Sequence, residues 1–179
     1  VGNSSVLNCT LKPKINMITW KIWPAVGGFC TLGYRADANM THTNCSNRIN
    51  WKYRPDTDPT LEIRQTGIDQ EGNYTCEVAS EDGNFHKKYY LTVLVPPMPR
   101  LYCDEQGSPV CEAAAGKPPA QLSWVPERNC TAEEKCHDNG TVSVLSRFTA
   151  SSTRVSNVTN RTICMVLHPA GNWSQSIAC

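Results

Sequence analysis

Ten cysteines are the residues of this chain with the clearest capacity for covalent chemistry. Their number is even and no C-x-x-C pair is present, which favours disulfides over a zinc site or a redox motif. The histidines are scattered, and only Cys136 and His137 are neighbours, so we interpret them as loop residues and not as metal ligands. The pattern predicts a disulfide-bonded protein from an oxidising compartment.

No catalytic motif accompanies the cysteines. The sequence contains no G-x-S-x-G, no glycine-rich phosphate loop and no H-E-x-x-H. Glu133 and Glu134 form a carboxylate pair, but cysteines bound their segment, and we interpret it as a solvated turn. The formal net charge of +1 gives no reason to expect nucleic acid or an anionic membrane as a partner. We therefore expect no enzyme activity, no cofactor and no bound metal.

Asparagine-linked glycosylation is the second covalent modification that the sequence predicts. Ten N-x-S/T sequons in a chain of 179 residues indicate an extracellular protein. The candidate acceptors are Asn3, Asn39, Asn44, Asn73, Asn139, Asn157, Asn160 and Asn172. Two further sequons begin at Asn8 and Asn129 and, like that at Asn44, have cysteine in the middle position, where we expect poor occupancy. No membrane-spanning apolar run and no signal peptide are evident, so we expect a mature secreted protein or a fragment of a longer one.

Short strands must position these residues, because hydrophobic side chains alternate along the chain and helical periodicity is almost absent. The stretch "NMITWKIW" places Ile18, Trp20 and Ile22 on one face of a strand. In "TLEIR", Leu61 and Ile63 likewise point inward. Several such strands separated by polar turns predict an all-β fold of antiparallel sandwiches.

The strand pattern is interrupted once and then begins again. Three prolines in "VLVPPMPR" cannot lie in a central strand and favour an extended spacer. Cysteine, tryptophan and cysteine follow one another in that order on both sides of the spacer. We predict two tandem sandwich domains, at residues 1–96 and 97–179.

The stretch "QEGNYTCEVAS" has the form of the corner of an immunoglobulin domain, in which a tyrosine lies two residues before the second cysteine. Period-two spacing sends Tyr74, Cys76 and Val78 into the core together. The usual aspartate six residues before that cysteine is replaced by Gln70, with Asp69 one residue earlier, which puts the salt bridge under the corner in question. The first domain has the cysteine spacing of the variable type, and the second has that of the shorter constant-like type.

The immunoglobulin pattern pairs Cys9 with Cys76, beside Trp20, and Cys111 with Cys164, beside Trp124. Six cysteines then remain, for which fifteen connectivities are possible. We predict three further bonds: one at the edge of the first domain's front sheet, one between the first and last strands of the second domain, and one that closes a local loop. These bonds are Cys30 with Cys45, Cys103 with Cys179, and Cys130 with Cys136.

The exposed face of the first domain's front sheet is the candidate binding surface, since variable-type domains commonly bind partners there. Strand parity predicts outward aromatic and charged side chains that suit a binding hot spot. They are Lys21, Trp23, Tyr34, Glu77, Ala79, His86, Lys88 and Tyr90, and Phe85 in the adjoining "SEDGNF" completes the predicted ligand-binding site. Packing of Trp23 and Tyr90 against loops or glycans is the alternative, and a glycan on Asn73 would narrow the footprint toward "SEDGNF".

Longer stretches carry a closer family resemblance. "DGNFHKKYYLTVLVPP", "CEAAAGKPPAQLSWVPERNC" and "NGTVSV" resemble the receptors for the OX-2 cell-surface glycoprotein, the cluster-of-differentiation-200 receptor family. Two features depart from the family pattern: "LNCT" lacks a second cysteine, and "LSRFTASS" has none where the family has one. These departures indicate a divergent paralogue.

The resemblance implies an extracellular part of a single-pass plasma-membrane receptor on myeloid and other leukocytes. Its expected partner is an immunoglobulin-superfamily ligand of OX-2 type on an opposing cell, and its expected role is regulation of myeloid responses. Families of this kind contain inhibitory members and activating members, the latter using a signalling adaptor through a charged membrane residue. A paired activating or decoy paralogue with a different ligand is the alternative interpretation.

Overall fold

The computed structural model describes residues 1–9, 15–148 and 161–179. Their regular structure is β-strand except for one 3-10 turn, Ile68–Gln70, which confirms the predicted all-β fold. No helix among these residues is long and apolar enough to cross a bilayer. The chain divides into two compact units, Val1–Val93 and Leu94–Cys179.

The first unit is built from two antiparallel sheets. Its described strands are β1 (Ser5–Leu7), β2 (Ile15–Pro24), β3 (Cys30–Arg35), β4 (Met40–Thr43), β5 (Ile49–Trp51), β6 (Leu61–Ile63), β7 (Gly72–Ser80) and β8 (Gly83–Leu91). One sheet has the order β1-β6-β5, and the other has the order β4-β3-β2-β7-β8. We call the five-stranded sheet the front sheet.

Alternation along β2 and β7 builds the core of this unit, because every second side chain of a strand points to the same face. Ile18, Trp20 and Ile22 are fully buried, as predicted. Trp20 lies opposite Cys76 in the strand register, and its indole nitrogen donates to the Pro59 carbonyl at 3.0 Å. The buried tryptophan thus packs beside the disulfide that joins the two sheets.

The corner before β7 is held by Tyr74. Its hydroxyl donates to the Gln70 carbonyl at 2.5 Å, and the ring is fully buried. Arg48 supports the corner with an ion pair to Asp69 at 3.6 Å and a hydrogen bond to the Gln70 amide oxygen at 3.2 Å. The salt bridge that the sequence put in question is therefore present, with Asp69 as its acid.

The second unit repeats the sandwich with fewer strands. Its described strands are β9 (Met98–Cys103), β10 (Pro109–Gly116), β11 (Gln121–Val125), β12 (Cys130–Cys136), β13 (Val142–Phe148), β14 (Thr162–Leu167) and β15 (Trp173–Ile177). The sheets have the orders β12-β13-β10-β9 and β11-β14-β15, which is the arrangement of constant-type immunoglobulin domains. Trp124 is buried, and its indole nitrogen donates to the Ser146 hydroxyl at 2.9 Å.

The division between the units lies three residues before the expected boundary of 96/97, since it falls between Val93 and Leu94. Val95 exchanges two backbone hydrogen bonds with Lys117, both at 3.0 Å, so it belongs to the second unit. Pro99 lies within β9, which is an edge strand where a missing N–H is tolerated.

The structure contains four of the five expected disulfides. They are Cys9 with Cys76, Cys30 with Cys45, Cys103 with Cys179, and Cys111 with Cys164. The expected bond between Cys130 and Cys136 is wrong, because both thiols are free and lie at opposite ends of one extended strand. A strand rises about 3.3 Å per residue, so their Cα atoms are about 20 Å apart, far beyond the roughly 7 Å limit for a disulfide.

Candidate functional site

The solvent side of the front sheet is the candidate site, and the antiparallel registers of β2, β7 and β8 define it. Residues directly opposite one another share a face, so the outward side chains form rows across three strands. The rows are Trp23, Asn73 and Tyr90; Lys21, Thr75 and Lys88; Thr19, Glu77 and His86; and Met17, Ala79 and Asn84. We call these twelve residues the front face.

Seven of the nine residues predicted to bind ligand lie on the front face. They are Lys21, Trp23, Glu77, Ala79, His86, Lys88 and Tyr90. The register places all seven on the side away from the core, because their neighbours along the strands, such as Trp20, Ile22 and Val78, are buried. Parity read from the sequence was sufficient for these positions.

Tyr34 does not lie on the front face, and its prediction as an outward residue is wrong. It is opposite the fully buried Ile18 in the register of β2 and β3, so its ring lies on the core side and is only 6% exposed. Its hydroxyl reaches the rim and donates to the Asn39 side-chain oxygen at 3.1 Å. The outward residues of β3 are instead Thr31, Gly33 and Arg35.

Phe85 also has core-side parity, because it lies opposite the buried Val78. β8 is an edge strand, however, and the ring remains 36% exposed. Phe85 therefore borders the front face from the edge of the sheet without belonging to its rows.

A surface pocket of about 310 Å³ lies where the front face meets the turn between β7 and β8. It combines apolar walls with an acid, an amide and an imidazole. Its lining residues are Met17, Glu77, Val78, Ala79, Asn84, Phe85 and His86. This is enough space for one apolar side chain of a partner, with polar groups at the rim to orient it.

The middle rows carry most of the charge of the front face. Lys21 forms an ion pair with Glu77 at 3.0 Å. Within the described part of the chain no carboxylate lies within 4 Å of the Lys88 amine, so this cation is available to a partner. Thr75 lies between Lys21 and Lys88 in the register and is only 8% exposed, so its neighbours cover it.

The row at the other end of the front face is aromatic. Trp23 is 45% exposed, and its ring lies 4.9 Å from that of Phe29, centroid to centroid. Tyr90 is 66% exposed, and Asn73 lies between it and Trp23 in the register. A glycan on Asn73 would therefore stand between the two most exposed aromatic side chains of the front face.

One feature beside the front face was missed by sequence reasoning. The ring of His42 on β4 lies over Gly33 on β3, so closely that a Cβ on Gly33 would be 2.3 Å from the ring. The glycine is needed for this close approach. The only sequence signal for it was a glycine inside a strand, which often marks close packing against the backbone.

The other candidate glycan acceptors are spread over both units. Those at Asn3, Asn39, Asn44, Asn139 and Asn172 are all exposed. Several side-chain oxygens accept local hydrogen bonds, among them that of Asn44 from the Thr31 N–H at 2.8 Å and that of Asn139 from the Thr141 N–H at 3.0 Å. Asn157 and Asn160 lie outside the described residues.

Comparison with known proteins places the chain in a family. Residues 1–94 match the immunoglobulin V-set domain. The chain is 52% identical over 180 residues to cell surface glycoprotein CD200 receptor 1-A of Gallus gallus and 44% identical over 182 residues to CD200 receptor 1 of Bos taurus. The alignments cover 100% and 99% of this chain and 59% and 50% of those relatives. The chain belongs to the CD200 receptor family.

Solved structures agree with this membership. The extracellular portion of mouse CD200RLa superposes with a TM-score of 0.89 at 38% identity, covering 99% of this chain and 94% of that one. Bovine butyrophilin, at 14% identity and a TM-score of 0.69, shares the fold alone. The relatives from Gallus gallus and Bos taurus both carry the name cell surface glycoprotein CD200 receptor, and the chain spans between one half and three fifths of their length.

Proposed function

We propose that this chain is the ligand-binding extracellular part of a leukocyte receptor that recognises an immunoglobulin-superfamily glycoprotein of the OX-2 (CD200) type. Binding would take place through the front face. The receptor would be anchored by a single membrane span and would regulate myeloid responses, and activating members would signal through an adaptor. The observation that carries the proposal is the front face itself. No other strand of the described residues covers this sheet surface, which has a pocket, the Lys88 amine, and side chains that are all at least partly exposed except that of Thr75.

The pocket and Lys88 define the centre of the proposed footprint. A partner side chain in the pocket would contact Met17 and Ala79, which offer apolar surface. A carboxylate of the partner would meet the Lys88 amine, about two rows away along the same sheet. The expected ligand surface therefore presents an apolar side chain beside an acidic one, and charge complementarity of this kind raises association rates and selects partners.

A glycan on Asn73 would place the aromatic row outside this footprint. The sequon "NYT" begins β7 at the end opposite the pocket, and the branched sugar would cover Trp23 and Tyr90 from the row between them. We therefore expect the glycosylated receptor to bind through the rows from Lys21 to Ala79.

The first test is binding of a soluble multimer of this chain to cells that display OX-2 glycoprotein. Lys88→Glu should reduce binding at least about tenfold, which corresponds to about 1.4 kcal/mol. Lys87→Glu is the matched control, because it makes the same charge change on the adjacent residue, whose register partner Cys76 is buried on the core side. We expect Lys87→Glu to bind within about twofold of the unsubstituted chain.

Each result separates one interpretation from another. Equal losses in both variants would mean that net charge and not the front face governs binding. No binding by a folded, unsubstituted chain would overturn the OX-2 assignment and favour a paired or decoy paralogue with another ligand.

A further inference from the structure

Cys130 and Cys136, at the two ends of β12, are the free cysteines of the chain, because the other eight all form disulfides. β12 is an edge strand, and all seven of its residues are exposed. Among the residues that the structure describes, no strand lies along the outer edge of β12, and an edge of this kind presents unpaired backbone N–H and C=O groups to which a further strand can bind. The two thiols therefore lie on a surface that is open both to solvent and to strand pairing.

Neither thiol has a partner within its own chain. The two are about 20 Å apart along one strand, and every other cysteine is already bonded. Exposed thiols are unusual in a compartment that oxidises them, and the family's receptors are cell-surface glycoproteins. A partner thiol must consequently come from another molecule.

The positions of the thiols are symmetric about the middle of β12, which is Glu133. If two copies of β12 pair antiparallel about a two-fold axis through Glu133, Cys130 of each copy lies opposite Cys136 of the other. The even spacing also keeps all four thiols on one face of the joined sheet. Opposed Cα atoms in antiparallel strands are about 4.5 to 5.5 Å apart, within the range that disulfides span.

The charges of β12 are compatible with this register. Glu133 would lie opposite its own copy, which is unfavourable. Lys135 of each copy, however, would lie on the diagonal next to the opposing Glu133, and on the other face of the strand the two copies of Glu134 would be diagonal neighbours. Two attractive contacts therefore offset two repulsive ones. Lys135 itself would face the neutral Thr131 of the other copy.

We propose that β12 is a self-association edge through which two copies of this receptor form a dimer with two disulfides, each joining Cys130 to Cys136 across the axis. Each bond forms by thiol–disulfide exchange with an oxidised protein disulfide of the secretory pathway. One thiolate attacks that disulfide, expels one of the oxidant's sulfurs as a thiolate and forms a mixed disulfide. The second copy's thiolate then attacks the receptor sulfur of the mixed disulfide and expels the oxidant's other thiolate. Two thiols lose two protons and two electrons, and the oxidant's S–S bond is reduced to two thiols.

The test is the covalent state of the full 179-residue chain secreted from mammalian cells, on non-reducing gels and by light scattering. All variants carry Asn129→Gln, so that replacing Cys130 does not create an efficient sequon. We expect a dimer that reductant converts to a monomer. A monomer with free thiols, or with small-molecule thiol adducts, would overturn the proposal.

Single substitutions test the register. Cys130→Ser and Cys136→Ser should each be monomeric, because every remaining thiol then faces a serine. Co-expression of the two variants with different tags should restore one disulfide and a mixed dimer. A covalent dimer from either variant alone would show like-with-like bonding and overturn the proposed register.

Two further measurements separate the dimer from other products. Trypsin cleaves after Arg128, Lys135 and Arg147, so each cysteine lies in its own peptide once Asn139 has been deglycosylated. The linked pair of peptides should occur in the dimer band, and its presence in a monomer band would show an intrachain bond instead. Lys135→Glu retains both thiols but makes the diagonal contacts repulsive, so the dimer fraction should fall. An unchanged fraction would indicate random contact of surface thiols.

Discussion

Tyr74 shows how one buried hydroxyl couples the stability of the first unit to pH. Burial raises the pKa of its phenol from 10.0 to about 12, the nearby Asp69 carboxylate adds to the rise, and Arg48 opposes it. The unfolded chain therefore releases this proton at lower pH than the folded one. The stabilisation is fully present below pH 10 and is lost as the pH rises toward 12.

Tyr74→Phe removes this titration and is the first prediction at this scale. We expect a loss of about 1 to 3 kcal/mol near pH 8, because the Gln70 carbonyl loses its donor. Between pH 9 and 11 the unsubstituted chain should lose about 1.4 kcal/mol more than the variant. Urea unfolding across that range measures both quantities, and parallel curves would contradict the assignment.

Ala79 is the position at which the pocket can be filled without disturbing the core. Ala79→Leu should weaken binding to OX-2 cells at least about tenfold if a ligand side chain enters the pocket. Ala170→Leu makes the same change at an exposed turn of the second unit and should bind normally. Unchanged binding by Ala79→Leu would move the footprint away from the pocket.

At the scale of the structural element, the hairpin of β3 and β4 depends on the disulfide between Cys30 and Cys45. Every residue of β4 is exposed, so burial contributes little to holding this edge strand in place. The disulfide between Cys30 and Cys45 closes a loop with a sequence separation of 15, which corresponds to about 3 kcal/mol in the chain-entropy model.

Replacing both cysteines with alanine tests this contribution. We expect Cys30→Ala with Cys45→Ala to lower the free energy of unfolding by about 3 kcal/mol, as measured by urea denaturation. The slope of the transition should change little if the native fold is retained. A loss below about 1 kcal/mol would mean that backbone pairing of β3 with β4 suffices.

Strand elements also show where sequence reasoning reached its limit. Alternation located β2 and β7 because both have a fully buried face. It failed at Tyr34, because an amphipathic tyrosine fits either face of a sheet. Only the register of β3 with β2, in which Tyr34 lies opposite Ile18, determines that the ring is on the core side. It failed again at Cys130 and Cys136, because a cysteine-bounded polar segment reads as a loop, although register with β13 holds it extended.

At the scale of the whole molecule, the internal repeat was readable because cysteine and tryptophan recur in the same order in both halves. The boundary between the units was harder to predict, because Val95 is assigned to the second unit by its pairing with Lys117, which is distant in sequence. The front face followed from parity, whereas the pocket did not, since it needs the ends of three strands brought together.

No disulfide among the described residues joins the two units. Both disulfides of the first close within Val1–Val93, and both of the second close within Leu94–Cys179. A protease site inserted between Val93 and Leu94 should release two fragments on a non-reducing gel after cleavage. Fragments that separate only after reduction would contradict the observed pairing.

The alternation of β2, β7 and β8 has a consequence for how such a receptor can evolve. Ten of the twelve residues of the front face are neither buried in the core nor part of the Asn73 sequon. Substitutions at these ten positions can therefore change ligand specificity at little cost to folding. The exceptions are Asn73 and Thr75. Thr75 is only 8% exposed and completes the sequon of Asn73. Loss of either would remove the predicted glycan on Asn73 and leave the aromatic row accessible, so one substitution would enlarge the recognised surface in a single step.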